Sequence, residues 1–318
     1  MKKLNYLLGM LFMAAAFTYC TDKNNESEIK APTTAEFAEI RQGFLDGITQ
    51  YKTFDATTGS SFTSTKGVKV NISGLTLNSQ PVTGNVQLRY IELFDIGSIA
   101  LANKPLLGRD YSNNRPGPLV TGGEFFIEVT QNGTPLDGSA NLEVPVKFTK
   151  GADPDDMTIW SMDDGEEWGV WEKANGEIWQ EGQGTENYYY CWLPFNWTNI
   201  DWLYSLPGTQ TQIRVKVPDG YNKDNCSVYA AYFDMPGTLA AFDVYDATGK
   251  YFTEHTGIAP VGYKMFVIFV SGDAQTKRFV YATKLVTVEP DQYITFTAED
   301  LRSASIQQVI DAINGLYD

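Results

Sequence analysis

At 318 residues, with 43% apolar and 14% aromatic residues, the chain is large enough for two domains, and this composition excludes wholesale disorder. The formal net charge is −15, from 39 acidic against 24 basic residues, with no cluster of Lys and Arg. Nucleic-acid binding needs cations to displace phosphate counterions, and an acidic surface is repelled by anionic lipid, so both of those partner classes are excluded.

Lys2 and Lys3 precede an apolar run over about residues 6–17, a charged start and core of signal-peptide length and too short to span a bilayer. Two processing routes compete. Cleavage after Ala16 would leave Cys20 as a passenger, whereas cleavage before Cys20 would free its thiol for acylation. The polar, aperiodic stretch after Cys20 suits a tether, and acylation would remove the odd member of three cysteines, so lipidation is the expected route.

Thr33 and Glu36 then stand at capping-box spacing, and Phe37, Ile40, Phe44 and Ile48 recur at helical intervals. They predict one amphipathic helix ending near Gly47. From there to about Phe296 the pattern predicts strands. Val68/Val70/Ile72, Val86/Leu88/Tyr90 and Phe125/Ile127/Val129 alternate, and Asn132-Gly133 is a type I′ hairpin signal. Leu142, Val144, Val146 and Phe148 follow, and the Gly-, Pro- and Asp-rich stretch 151–157 reads as a domain boundary, closing the first domain near Lys150.

Beyond it, Ile213/Val215/Val217 and Val228/Ala230/Tyr232 alternate, a turn is expected at Thr248-Gly249, and residues 265–270 are apolar on both faces like a central strand. Ser305 and Gln308 form a second capping box. It opens a helix with Ile306, Val309, Ile310 and Ile313 as its buried stripe and Gly315 as its stop. The expected fold is mainly β: two antiparallel β-sandwiches, immunoglobulin-like or prealbumin-like, with a short N-terminal helix and a C-terminal helix. The expected division is 1–19 signal peptide, 20–32 lipidated tether, 33–150 helix plus first sandwich, and 151–318 second β domain with the final helix.

Two motifs in a fixed order carry a resemblance: Thr121-Gly122-Gly123-Glu124-Phe125-Phe126-Ile127, and later Trp197-Thr198-Asn199-Ile200-Asp201. Together with the strands around them they resemble two-domain surface lipoproteins of the Bacteroidota type. That resemblance implies an envelope protein with no known enzymatic activity and brings no catalytic residues. Asp22, Glu26 and Glu28 after Cys20 are similar to that group's surface-export signals, which implies an outer-membrane, lipid-anchored and outward-facing protein.

Catalytic machinery is not evident. His255 is the single histidine and stands in a turn-rich stretch without a nucleophile motif, so it reads as a loop residue. One His and at most two free Cys cannot build a zinc site. Asp153, Asp155, Asp156, Asp163, Asp164, Glu166 and Glu167 crowd one region but lack an EF-hand's ligand order, and read as a solvated acidic loop. No cofactor is implied.

The aromatic distribution is more informative, because all seven tryptophans lie between Trp160 and Trp202. Asn175-Gly176 predicts a hairpin that sets Trp171 beside Trp179, and Tyr188 and Tyr190 share a strand face with Trp192. Indole rings stack on the C–H faces of sugars, so Trp168, Trp171, Trp179 and Trp192 are candidates for glycan contact. The alternative is that tryptophans plug the junction of the two sandwiches, the favoured reading for Trp197 and Trp202. Cys191 and Cys226 are both expected in the second domain, either bridged or as buried thiols. The expected function is a non-catalytic binding or structural role at the cell envelope, with polysaccharide or another envelope protein as partner. Capture of glycan by the segment 160–202 is the alternative to a purely structural role.

Overall fold

The computed structural model describes residues 28–110, 115–145, 156–162, 170–181, 188–204, 208–254, 257 and 259–318. Cys20, Trp168 and His255 lie outside them, as do the acidic residues of the 153–167 region except the exposed Asp156. The fold is mainly β, as expected.

The first helix, α1 (Thr34–Ile48), forms as its sequence predicts. Thr33 and Glu36 exchange both capping-box bonds, and Phe37, Ile40 and Phe44 are buried. The chain upstream is less free than a tether. Ile29 and Ala31 pack on the core of the second sandwich, Lys30 and Ala274 share a backbone hydrogen bond, and Asn225 Nδ2 donates to the Pro32 carbonyl. Packed structure therefore extends upstream of Thr33 to include Ile29, because two apolar side chains in a polar stretch found an apolar surface.

The first sandwich comprises β1 (Gln50–Asp55), β2 (Ser60–Thr63), β3 (Lys69–Leu77), β4 (Asn85–Leu93), β5 (Arg115–Gln131) and β6 (Asp137–Pro145). It continues, past the expected boundary, with β7 (Thr158–Met162), β8 (Glu172–Lys173), β9 (Ile178–Glu181), β10 (Tyr188–Pro194) and β11 (Asn196–Leu203). One sheet, sheet A, runs β1–β4–β5–β11–β7–β8 and the other, sheet B, runs β9–β10–β6–β3–β2. Closure of the first domain near Lys150 is thus incorrect: β11 pairs antiparallel with β5, and β10 with β6. A Gly/Pro/Asp-rich passage between two sheets of one sandwich has the same composition as a linker between domains. Asn132-Gly133 makes the expected turn, with both residues at positive φ.

The second sandwich begins after residue 208. It holds β12 (Arg214–Lys216), β13 (Cys226–Tyr232), β14 (Val244–Asp246), β15 (Tyr251–Thr253), β16 (Lys264–Gly272), β17 (Phe279–Thr287), β18 (Tyr293–Thr295) and β19 (Arg302–Ala304). Its sheets run β14–β15–β12–β18, with β12 and β18 parallel, and β13–β16–β17–β19. The expected central strand is β16, buried along 265–272 between β13 and β17.

Helix α2 (Ile96–Ala102) interrupts a region expected to be strand throughout. Asp95 caps it, its Oδ1 accepting from the Ser98 amide, and Asn103 ends it in the left-handed conformation at φ 58°. The last helix, α3 (Ile306–Asn314), is capped by Ser305 and Gln308 and buries Val309 and Ile313, but Ile306 is exposed. Gly315 is not a left-handed stop; its φ is −73° and the chain continues in a 3₁₀ turn. The helix also docks on the first sandwich's α2, where Asn314 accepts from the Gly97 amide and donates to Asp95. Three apolar cores result: one inside each sandwich, and one at their junction gathering α1, α2, α3 and residues of both.

Candidate functional site

Among the described residues, the tryptophans separate into buried and exposed populations. Trp160, Trp171 and Trp197 belong to the junction core. Trp171 is fully buried, its Nε1 donates to the Pro105 carbonyl at 2.9 Å, and its backbone bonds to Leu107 and Arg109. Trp160 Nε1 donates to the Asp201 carbonyl, and Trp197 packs on Phe126. Trp202 is half-buried against the first sandwich's inner core. Trp171 is therefore not a glycan-contact residue.

The hairpin expected at Asn175-Gly176 is also absent. Trp171 precedes β8 in one sheet while Trp179 lies on β9 in the other, so the two do not meet across a strand pair. The chain crosses between sheets here, and Gly176 passes where a Cβ would stand 2.5 Å from Ile159 Cδ1 and 2.6 Å from the Trp192 carbonyl oxygen. The glycine serves close approach and not a left-handed turn.

Trp179 and Trp192 remain on the outer face of sheet B, 40% and 55% exposed. The register places Trp179, Tyr190, Glu143, Lys69 and Thr63 in one row across β9, β10, β6, β3 and β2. The neighbouring row is Trp192, Asn141, Asn71 and Ser61. Trp179 and Tyr190 stack, with ring centroids 5.5 Å apart and planes 12° from parallel. Beside them Lys69 Nζ meets Glu143 Oε2 at 2.7 Å. Strand alternation explains the arrangement: Tyr189, Cys191 and Leu193 point into the core, so Tyr190 and Trp192 must point out. The face thus changes from aromatic at the β9–β10 edge to amide, carboxylate, ammonium and hydroxyl across β6, β3 and β2. The sequence reading found the aromatics but not Asn141, Asn71, Glu143 and Lys69. Their signal is the polar half of the alternations 69–73 and 139–145, legible only once these strands are known to adjoin β10.

The two motifs quoted above prove to be partners, because β11 pairs with β5 directly, with an irregularity between Asn199 and Asp201. Gly123 sits at φ 138°, and a Cβ there would stand 2.5 Å from the Phe94 ring. The Gly122 amide and Asn199 Nδ2 both donate to the Asp201 carboxylate, at 3.3 and 2.5 Å, and the Gly123 amide donates to Thr121 Oγ1. Glu124 lies fully buried alongside, with no hydrogen-bond partner for either oxygen. Burial, then the nearby Asp201, pushes the Glu124 carboxyl well above its usual range, and Lys104 opposes that shift. Thr121 borders a small cavity beside Phe94 and Gly237, and Glu124, Asn199 and Asp201 lie fully buried behind it as an internal polar seam.

Cys191 and Cys226 are free and buried, Cys191 in the core of the first sandwich and Cys226 in that of the second. The bridge is ruled out by topology: Cys191 was expected in the second domain, but β10 belongs to the first. No described protein family matches the chain, and no curated protein is significantly similar to it.

Proposed function

We propose that this protein is a lipid-anchored, non-catalytic binding protein of the outer-membrane surface that holds polysaccharide on the open face of sheet B. The observation that supports this reading is the cluster of Trp179, Tyr190 and Trp192 across two adjoining rows, with both indoles exposed on a sheet whose other face is packed. A large exposed aromatic patch costs free energy unless a ligand covers it. Sugars present apolar C–H faces to indole and hydroxyls at the ring edge. The neighbouring amides and the Glu143–Lys69 pair match the hydroxyls, offering both donors and acceptors. Strands lie about 4.8 Å apart, so the five-strand row extends for roughly 20 Å, room for several sugar units.

Affinity electrophoresis against a panel of polysaccharides tests this reading. At least one polymer should retard the protein, and Trp192→Ala or Trp179→Ala should abolish the retardation. Failure of every polymer to retard it would reject glycan capture and leave a protein partner on the same face. For the anchor, Cys20→Ala should move the protein from the membrane to the soluble fraction. An unacylated N-terminus at Phe17 in the membrane fraction would reject lipidation.

A further inference from the structure

On the opposite side of the first sandwich, α1 and α2 lie over sheet A and leave a cleft of about 590 Å³. Three cations reach it from three separate elements: Arg41 from α1, Arg89 from β4, and Lys104 from the loop after α2. Such convergence is notable in a chain with 39 acidic and 24 basic residues. Each cation stands over an aromatic ring: Arg41 4.1 Å from the Phe37 centroid, Arg89 4.6 Å from Phe126, and Lys104 4.9 Å from Trp197. These stacks fix the positions of the charged heads, and Lys104 Nζ also donates to Met162 Sδ at 3.9 Å.

A buried network fixes the site further. Arg41 Nη2 donates to Ser227 Oγ at 2.6 Å, Ser227 Oγ donates to Asn103 Oδ1 at 3.1 Å, and Tyr229 OH donates to the same oxygen at 2.6 Å. Asn103 is the cap residue directly before Lys104, so one network positions two of the three cations. Two carboxylates also line the cleft. Asp46 accepts from Gln42 Nε2, and Asp224 is engaged by Lys223. Arg89 makes only a loose pair with Glu128, at 3.8 Å between partners each about a third exposed. Tyr51 completes the wall at 60% exposure.

We infer that this cleft is a second ligand site, for a small anion whose phosphate or carboxylate group meets Arg41, Arg89 and Lys104 while its body lies against Tyr51. Guanidinium groups suit such oxyanions because their paired N–H donors match two oxygens at once. The site is independent of the aromatic face and of any glycan bound there. A lipid head-group phosphate and a soluble one share this chemistry, and three local cations can hold either one despite the acidic net charge that opposes general attraction to anionic lipid.

Calorimetric titration of the full chain with phenyl phosphate, benzoate and uncharged benzyl alcohol tests the inference. At least one of the two anions should saturate a single site and the alcohol should not. Arg89→Ala should weaken the anion roughly tenfold or more, and Tyr51→Ala should weaken it by less, with the circular dichroism spectrum of each variant unchanged. Co-sedimentation with phosphatidate vesicles distinguishes the sources: Arg89-dependent sedimentation without binding of either soluble probe assigns the site to a lipid head group. Absence of saturable binding by both anions and by the vesicles overturns the inference. So does binding that Arg89→Ala leaves unchanged, or equal binding of the alcohol.

Discussion

The two outer faces of the first sandwich use the same side chain in opposite ways. On sheet A, roofed by three helices and the second sandwich, Trp160, Trp171 and Trp197 are buried in the junction. On sheet B nothing in the described structure covers Trp179 and Trp192, which remain 40% and 55% exposed. The difference lies in what each strand meets, not in the local sequence. Trp171 and Trp179 both stand among glutamates and glycines, yet one neighbours α2 and its following loop and the other an open sheet. A cluster of tryptophans therefore marked two demands at once, a plug and an exposed platform.

The largest effect that tests this contrast is Trp171→Ala. It removes a fully buried indole and its 2.9 Å bond to the Pro105 carbonyl, and should cost about 4 kcal/mol. Urea unfolding would measure it, and a midpoint near wild type would show that the plug is not needed. Gly123→Ala comes next. It places a methyl group against Phe94 at a backbone φ of 138°, and should cost about 3 kcal/mol. A neutral result would mean that the seam between the two motifs relaxes freely. Trp192→Ala should change stability by less than about 1 kcal/mol while weakening glycan binding roughly tenfold or more. Equal losses of stability from Trp171→Ala and Trp192→Ala would erase the distinction between the faces.

Local chemistry was readable in the sequence and long-range register was not. Both terminal capping boxes and the Asn132-Gly133 turn form as their spacing predicts, since each is decided within four residues. Helix α2 shows its cap at Asp95 and its stop at Asn103, but seven residues between strong strands are too few for periodicity to stand out. The assignment of β7 to β11 depended on which sheet edge each would meet, and turn composition carries no such information. The polar half of the proposed binding face was missed for the same reason. Asn71 and Asn141 are ordinary alternation residues until register sets them beside Trp192.

A subtler effect belongs to the buried Glu124, on the packed side of the contrast. Its carboxyl is held well above the ordinary 4.5, by burial first and Asp201 second, with Lys104 opposing. The folded chain therefore keeps a proton that the unfolded chain releases above about that pH. The stability this confers is complete below the unfolded value and is lost as pH rises through the folded one. Glu124→Gln retains the neutral shape and cannot ionise. It should match wild type in acid and exceed it increasingly toward neutral and alkaline pH, in urea melts run across that range. Parallel stability curves for the two proteins would show that Glu124 does not hold the proton.

The smallest effect should be none at all. Cys191 and Cys226 stand in two different cores, and burial pushes both thiols up from their ordinary value. A thiol that does not ionise is a poor nucleophile, so neither should react with a thiol reagent in the folded protein, and both should react once it is unfolded. Reductant should change neither the mass nor the unfolding midpoint. Since β10 fills the first sandwich and β13 the second, forming a bridge would require one strand to leave its sheet. A two-dalton increase in mass on reduction would contradict this packing, and with it the assignment of β10 to the sheet that carries Tyr190 and Trp192.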